Sequence, residues 1–191
     1  EGNELKLENN QVMSAKDLCT IELIEGLKKA GIKAFKIEGR NREPEYVQTT
    51  VRIYRKALDK KLTKEEIQKS LEELDKVYNK GFSSGFYLNT PGKKEFSSSE
   101  NSSSTHRKEL IGRIIHYFPD KQVAAIRLFS GQIKTGEEII VLGDKTGVIR
   151  QKVDRIDIER KQVASAKKGQ EIGIEIPGSR KGDLVYLVVK R

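Results

Sequence analysis

The sequence has only one cysteine in 191 residues, so it cannot form a disulfide bond within the chain. One Cys and two His at these positions also exclude the common zinc motifs, and no HExxH motif occurs. A chain that does without disulfides suits a reducing compartment. We therefore expect a cytoplasmic protein.

Long apolar runs are absent as well, and none approaches the ~20 residues that span a membrane. The chain begins Glu1-Gly2-Asn3, without the basic and then apolar start of a signal peptide. We therefore expect no membrane as a partner. The sequence also has no Gly-x-x-x-x-Gly-Lys-Ser/Thr loop, so we expect no nucleoside triphosphate as a partner. It also lacks an initiator Met, which predicts that it is a piece of a longer protein.

The excess of positive charge is unevenly distributed. The net charge is +9, and residues 107–191 carry 18 Lys and Arg against 11 Asp and Glu. Residues 1–106 carry 19 against 17, so the basic excess belongs to the second part of the chain. This distribution predicts an anionic partner such as RNA for that part, and the alternative is a general contribution to solubility.

The stretch Lys36-Ile37-Glu38-Gly39-Arg40 follows an apolar run and precedes a helix. Read with a period of two, Phe35 and Ile37 share one face of a strand, and Lys36 and Glu38 share the other. Helices on both sides indicate a strand of a parallel α/β sheet, in which both faces are buried.

An acid and a base on a buried face of strand 32–38 must either pair or take part in chemistry. The ends of strands carry the active sites of α/β barrels, and Arg40 stands where this strand ends. The pattern therefore predicts Lys36, Glu38 and Arg40 as catalytic residues. The alternative is a structural ion network that closes the mouth of the barrel.

A helix is predicted before this strand, from Ser14 to about Ala30. Ser14 and Asp17 have the spacing of a capping box, and Gly31 is a good C-terminal stop. Cys19 falls in the first turns, where the positive end of the helix favours a reactive or metal-bound thiolate. The alternative is that Cys19 is a small hydrophobic residue of the core.

Two more helices are predicted before the basic part. Pro44 suits the first position of one of them, and Thr63 and Glu66 form a capping box for the other, which ends at Gly81. Their apolar stripes are Val47, Val51, Tyr54 and Leu58, and Ile67, Leu71, Leu74 and Tyr78. Residues 97–105 have the composition of a linker, with six serines and a threonine.

Short alternating segments separated by turn signals begin at Leu110. They predict strands near 110–117, 122–129, 138–142, 147–157, 171–176 and 183–189. Six strands with no long helix predict a small antiparallel β-barrel.

The motifs of the first part resemble the collagenase-like peptidase family, which is peptidase family U32. The resemblance rests on Ser14-Ala15-Lys16-Asp17-Leu18-Cys19, on Lys36-Ile37-Glu38-Gly39-Arg40, on Tyr46 and Tyr54-Arg55, and on Gly81-Phe82-Ser83-Ser84-Gly85-Phe86. The second part is similar to the second domain of translational GTPases, through residues 131–138 and 166–173.

This resemblance implies an α+β chain in two parts: the remnant of a TIM-type α/β barrel with helices, then the small antiparallel β-barrel. It divides the chain into 1–60, the last β-α-β-α of an incomplete barrel; 61–105, a helix and the Ser-rich linker; and 106–191, the β-barrel. The missing N-terminal α/β barrel is then a partner, and the fragment alone is expected to be inactive.

The resemblance leaves three functions open. In a peptidase, Glu38 is a general base and Arg40 binds a carboxylate or an oxyanion. In family members that hydroxylate tRNA or ribosomal RNA, four cysteines hold an iron–sulfur cluster, Cys19 matches the last of them, and Arg40 and Arg42 contact the substrate. We expect no cofactor in this fragment alone. In a binding module, the β-barrel docks RNA through Arg113, Arg127, Lys134, Arg150, Lys152 and Arg155.

Overall fold

The computed structural model describes residues 15–97 and 102–191. The chain divides into two compact units, and the boundary along the sequence lies between Thr105 and His106. The predicted helix start at Ser14 lies outside the described residues.

The first unit is built mainly from three helices. Its elements are β1 (Asp17–Leu18), a 3₁₀ turn (Ile21–Leu23), α1 (Ile24–Lys29), α2 (Pro44–Asp59), α3 (Lys64–Asp75) and β2 (Phe82–Ser83), followed by a second 3₁₀ turn (Lys93–Glu95). Its buried core consists of Ile21, Ile24, Ile53, Ala57 and Leu74. Phe35 and Leu71 pack against this core.

The predicted helix from Ser14 to Ala30 is wrong in its first half, because helical structure begins only at Ile21. Before that point β1 runs parallel to β2, and the N–H groups of Asp17 and Cys19 donate to the carbonyls of Gly81 and Ser83, at 2.9 Å each. Hydrogen bonds to a distant segment thus replace those that a helix would make. The predicted stop at Gly31 is confirmed, with φ at +87°.

The predicted strand 32–38 has the expected alternation but no sheet. Phe35 and Ile37 are half-buried, and Lys36 and Glu38 are exposed. Among the described residues no strand pairs with this segment, so it is extended chain rather than a strand.

Helices α2 and α3 begin where the sequence predicts. Both bonds of the capping box are present: the N–H of Glu66 donates to Thr63 Oγ1 at 3.2 Å, and the N–H of Thr63 donates to Glu66 Oε2 at 3.1 Å. The predicted stripe of α2 is partly wrong, because Val51 is exposed and Ile53 and Ala57 are buried. Helix α3 ends at Asp75, six residues before the predicted stop.

Part of the predicted Ser-rich linker is integrated into the first unit. Ser102 and Ser104 are buried, and the Ser102 hydroxyl donates to the carbonyl of Asn79 at 3.1 Å. The N–H of Thr105 donates to the carbonyl of Asp75 at 3.0 Å. Serine hydroxyls and backbone N–H groups of this stretch thus supply hydrogen bonds to the backbone of Asp75 and Asn79. Composition alone does not distinguish this role from that of a linker.

The regular secondary structure of the second unit consists of β-strands and one 3₁₀ turn. Its strands are β3 (His106–Phe118), β4 (Val123–Leu128), β5 (Gln132–Lys134), β6 (Glu138–Gly143), β7 (Gly147–Lys152), β8 (Ile156–Ile158), β9 (Lys161–Val163), β10 (Ser165–Lys167), β11 (Glu171–Glu175) and β12 (Leu184–Lys190). Eight of them form an antiparallel sheet in the order β7-β6-β12-β3-β4-β11-β8-β9, and β5 pairs with β10.

One aliphatic core unites the large sheet and the β5–β10 ribbon. Ile133 of β5 and Ala166 of β10 are buried together with Ile114, Ile126 and Val185 of the sheet. The small antiparallel β-barrel predicted from the sequence is therefore confirmed. Separately, no helix in the described part of the chain is long and apolar enough to cross a membrane.

Candidate active site

The charged face of segment 32–39 is open to solvent. Lys36, Glu38 and Arg40 are exposed, whereas Phe35 on the opposite face packs against the helical core. Glu38 Oε1 accepts a hydrogen bond from the N–H of Arg40 at 3.0 Å, which holds the carboxylate beside the turn. No ion pair joins the three side chains within the described residues, so the structural ion network that was the alternative to a catalytic role is absent there.

Arg42 forms an ion pair and two stacking contacts within the first unit. Its guanidinium lies 2.5 Å from Asp17 Oδ1 and stacks 4.9 Å from the ring centre of Tyr46 and 5.2 Å from that of Tyr78. The other Asp17 oxygen accepts from the N–H of Lys80 at 3.0 Å. This Asp17–Arg42 clasp ties β1 to α2 and to the chain after α3.

The electrostatics of the clasp extend to Tyr46. Burial raises the pKa of the Tyr46 hydroxyl above its ordinary value, although the nearby Arg42 charge acts in the opposite direction. The hydroxyl of Tyr46 therefore stays protonated at neutral pH and can only donate or accept hydrogen bonds.

Cys19 lies between β1 and the 3₁₀ turn, not in a helix, which corrects the prediction that placed it in the first helical turns. The Tyr54 hydroxyl donates to Cys19 Sγ at 3.7 Å and accepts from the N–H of Thr20 at 2.9 Å. Tyr54 thus positions the thiol by holding both the sulfur and the backbone beside it.

Three of the six basic residues predicted to bind nucleic acid are paired with carboxylates. The pairs are Arg127 with Glu171 at 2.5 Å, Arg150 with Glu138 at 2.6 Å and Arg155 with Asp157 at 2.7 Å. Arg113, Lys134 and Lys152 are exposed, and no carboxylate of the described residues pairs with them. The positive charge that these six residues can offer to phosphates is therefore smaller than the sequence suggests.

The profile of peptidase family U32 matches residues 1–97. The chain belongs to peptidase family U32. A collagenase of Porphyromonas gingivalis is 40% identical over 100% of this chain and 54% of its own length. The tRNA hydroxylation protein P1 of Bacillus subtilis is 36% identical over 69% of this chain and 32% of its own length. The U32 chain thus spans about half the length of the collagenase that it matches.

Solved structures include the C-terminal domain of a Geobacillus thermoleovorans protein described as a U32 peptidase. It is 17% identical and covers 40% of this chain and 96% of its own, with a TM-score of 0.38. The assignment to family U32, which the sequence motifs predict, is confirmed by the family profile and not by this likeness.

An iron–sulfur cluster does not fit the donors of the U32 chain alone. Cys19 is the one cysteine of the sequence, and a four-cysteine cluster needs three more. No group of three or more His, Cys, Asp or Glu side chains among the described residues is placed to hold a metal ion. Any cluster that used Cys19 would take its other ligands from a different polypeptide segment.

Two residues whose roles were not predicted from the sequence hold other side chains in place. Asp17 reads as a helix-capping residue and Tyr54 as part of an apolar stripe, yet each holds a side chain of another motif. The available signal was that Asp17, Cys19 and Tyr54 all belong to the motifs that resemble the family. Residues of several motifs often meet at one site.

The Asp17→Ala variant is expected to destabilise the U32 chain by about 2 kcal/mol, because it leaves the Arg42 guanidinium without its carboxylate in a largely buried position. Urea unfolding followed by circular dichroism measures the loss. The matched control is Asp59→Ala, whose pair with Arg55 is exposed and screened by solvent, so its loss should change the free energy of unfolding little. Equal losses in the two variants would contradict the clasp.

Tyr54 should make stability fall at alkaline pH. Burial, with a further contribution from Cys19, raises its pKa to about 12, above the ordinary value of about 10. The unfolded chain therefore releases this proton first, and the free energy of unfolding falls as pH rises from about 10 to about 12. In Tyr54→Phe the fall should be shallower, and in the control Tyr87→Phe, an exposed tyrosine, unchanged. Identical pH profiles in all three proteins would refute the assignment.

Proposed function

We propose that this chain is the C-terminal part of a longer U32 peptidase, and that Lys36, Glu38 and Arg40 face its reaction centre. The observation that carries the proposal is the exposure of Lys36, Glu38 and Arg40, whereas Phe35 of the same stretch packs on the helical core. A relative named collagenase that matches the whole chain at 40% identity supports peptide cleavage as the reaction.

The proposed hydrolysis uses three side chains of this chain. Glu38, as a general base, takes a proton from water while the water oxygen attacks the peptide carbonyl, and Arg40 stabilises the developing oxyanion. When the tetrahedral intermediate collapses, the C–N bond breaks and the protonated Glu38 gives its proton to the leaving amine. Lys36 adds positive charge on the same face. Both histidines, His106 and His116, belong to the second unit, so within the first unit Cys19 has no histidine to activate it as a nucleophile.

The proposal is tested by comparing two proteins on gelatin peptides. One is a protein of the collagenase relative's full length that contains this sequence, and the other is the 191-residue chain. Mass spectrometry should detect new peptide termini with the long protein and none with the chain alone. Equal cleavage by both would show that the rest of the barrel is not needed, and no cleavage by the long protein would refute the peptidase function.

A second candidate, base hydroxylation of RNA, is favoured by Cys19 and its Tyr54 contact, and by the tRNA hydroxylation relative. In that case Cys19 is one ligand of an iron–sulfur cluster completed by cysteines of the longer protein. An ultraviolet–visible spectrum of the anaerobically purified long protein tests it. A spectrum without the broad cluster absorption would rule this candidate out.

The β-barrel is proposed to bind RNA weakly and without sequence preference, through Arg113, Lys134 and Lys152. Affinity should fall with salt, by a slope of about −0.7 per phosphate contact. The triple Gln variant should make the slope shallower by about 2, whereas Arg127→Gln should change it little because Glu171 already compensates that charge. Absence of binding at low salt in anisotropy titrations would leave the barrel with another role.

A further inference from the structure

A groove of about 500 Å³ on the first unit is unexplained by the proposed reaction. It lies between the 3₁₀ turn at Ile21–Leu23, helix α3 and the segment after β2. Its apolar lining consists of Ile21, Leu23, Leu71, Phe82 and Leu88. Cys19 lies at its wall.

The charges that line the groove are all negative. They are Glu22, Glu72 and Asp75, and no Lys or Arg of the described residues lines it. Glu72 accepts a hydrogen bond from the side chain of Gln68 at 3.3 Å, and both Glu22 and Glu72 are exposed to solvent. In a chain with a net charge of +9, a groove whose charged side chains are all carboxylates favours a positively charged ligand.

The apolar surface continues beyond the groove onto the turn at residues 85–88. Phe86 is 81% exposed, Leu88 62% and Tyr87 53%. Leu18, 58% exposed, lies against this turn, because a Cβ on Gly85 would come within 3.0 Å of Leu18 Cδ1. A contiguous apolar patch beside a charged groove is the usual sign of a protein-binding surface.

We infer that this groove binds a basic, partly apolar peptide segment of another polypeptide. Apolar side chains of the peptide cover Leu88 and Phe86, and an Arg or Lys lies over Glu72 and Glu22. The carboxylates repel phosphate, so neither RNA nor an anionic membrane surface fits. This docking role does not depend on the proposed peptidase reaction, since it requires binding and not turnover.

The first test is fluorescence anisotropy with the 191-residue chain and short labelled peptides. The peptides alternate Leu with Arg, Leu with Glu, or Ser with Arg. The Leu–Arg peptide should bind at low salt, and the other two should bind at least about tenfold more weakly. Equal affinity for the three peptides, or no binding of the Leu–Arg peptide, would overturn the inference.

The second test locates the binding surface. The double variant Glu22→Gln/Glu72→Gln should raise the Kd about tenfold, and Leu88→Ser about fivefold. The matched control is Glu65→Gln. Glu65 lies on α3, as Glu72 does, but it pairs with Lys69 and is outside the groove, so this change should leave the Kd unchanged. Circular dichroism verifies that all variants are folded. An equal effect of the control and the double variant would place the peptide elsewhere.

The third test uses the long protein with the same Leu–Arg peptide. Retained affinity supports a groove that is open to a partner chain. Loss of affinity in the long protein alone would show that its own N-terminal part fills the groove, which would overturn a partner of this chemistry. Because these assays measure binding, their outcome is independent of whether the long protein cleaves peptides.

Discussion

The Glu38→Gln variant of the long protein is expected to cleave peptides with a kcat/KM at least about a hundredfold lower than that of the parent protein, at an unchanged Tm. Glutamine keeps the shape of the side chain and the acceptor that receives the Arg40 N–H, but it cannot take a proton. Because the Glu38 side chain is exposed and makes no ion pair in the described structure, removing its charge should not change the Tm.

Arg40→Ala should behave in the same way, with a smaller loss of activity, because it removes positive charge and not the base. The matched control is Glu25→Gln, a carboxylate on α1 whose pair with Lys28 lies on the surface. Its activity should equal that of the parent. If Glu38→Gln and Arg40→Ala instead lower the Tm by several degrees and keep their specific activity, the two residues have a structural role.

Gly143→Ala should destabilise the β-barrel by about 3 kcal/mol or more. A Cβ at Gly143 would lie 1.9 Å from Asp183 Oδ1 and 2.6 Å from its Cγ. Asp183 is buried and cannot move away without breaking its bonds, since its carboxylate accepts from the hydroxyl of Thr146 at 2.7 Å and from the N–H of Arg180 at 2.8 Å. The added methyl group therefore displaces a buried carboxylate from both donors.

The comparison for this variant is Gly173→Ala on β11 of the same sheet. There the nearest atom to a new Cβ is Val123 Cγ1 at 3.5 Å, an ordinary contact, so the change should cost less than about 1 kcal/mol. Urea unfolding of the chain, followed by circular dichroism, measures both. Similar midpoints for the two variants would mean that Asp183 relocates at little cost.

Several patterns formed by residues a few positions apart were predicted correctly from the sequence. The capping box at Thr63 and Glu66, the stop at Gly31 and the alternation of Phe35 with Lys36 all depend on residues a few positions apart. The alternating apolar residues of the barrel likewise predicted its longer strands. Local geometry determines such features, so a single sequence contains them.

Features that depend on distant partners were read less well. Residues 17–18 have the composition of a helix start but pair with Phe82 and Ser83. Strands β5, β9 and β10 were missed because three residues are too few to show a period. Segment 32–38 was predicted as a strand, yet a strand exists only where a neighbour supplies hydrogen bonds.

In the candidate site, too, features set by neighbouring residues were predicted and contacts between distant residues were not. The sequence identified Lys36, Glu38 and Arg40 as sharing a strand end, and the structure leaves this group exposed. It could not reveal that Asp17 binds Arg42 or that Tyr54 holds Cys19, because those contacts join residues 25 and 35 positions apart. Nor could it reveal that Arg127 and Arg150 each pair with a carboxylate of a neighbouring strand.

The most direct test of the account is cleavage of a gelatin peptide by the long protein in oxygen-18-labelled water, with the products read by mass spectrometry. The account predicts that the parent protein and Cys19→Ser place one labelled oxygen in each new carboxylate, and that Glu38→Gln forms these labelled products at least about a hundredfold more slowly. Cleavage that is lost in Cys19→Ser and kept in Glu38→Gln would contradict it, as would an uncleaved peptide with the parent protein.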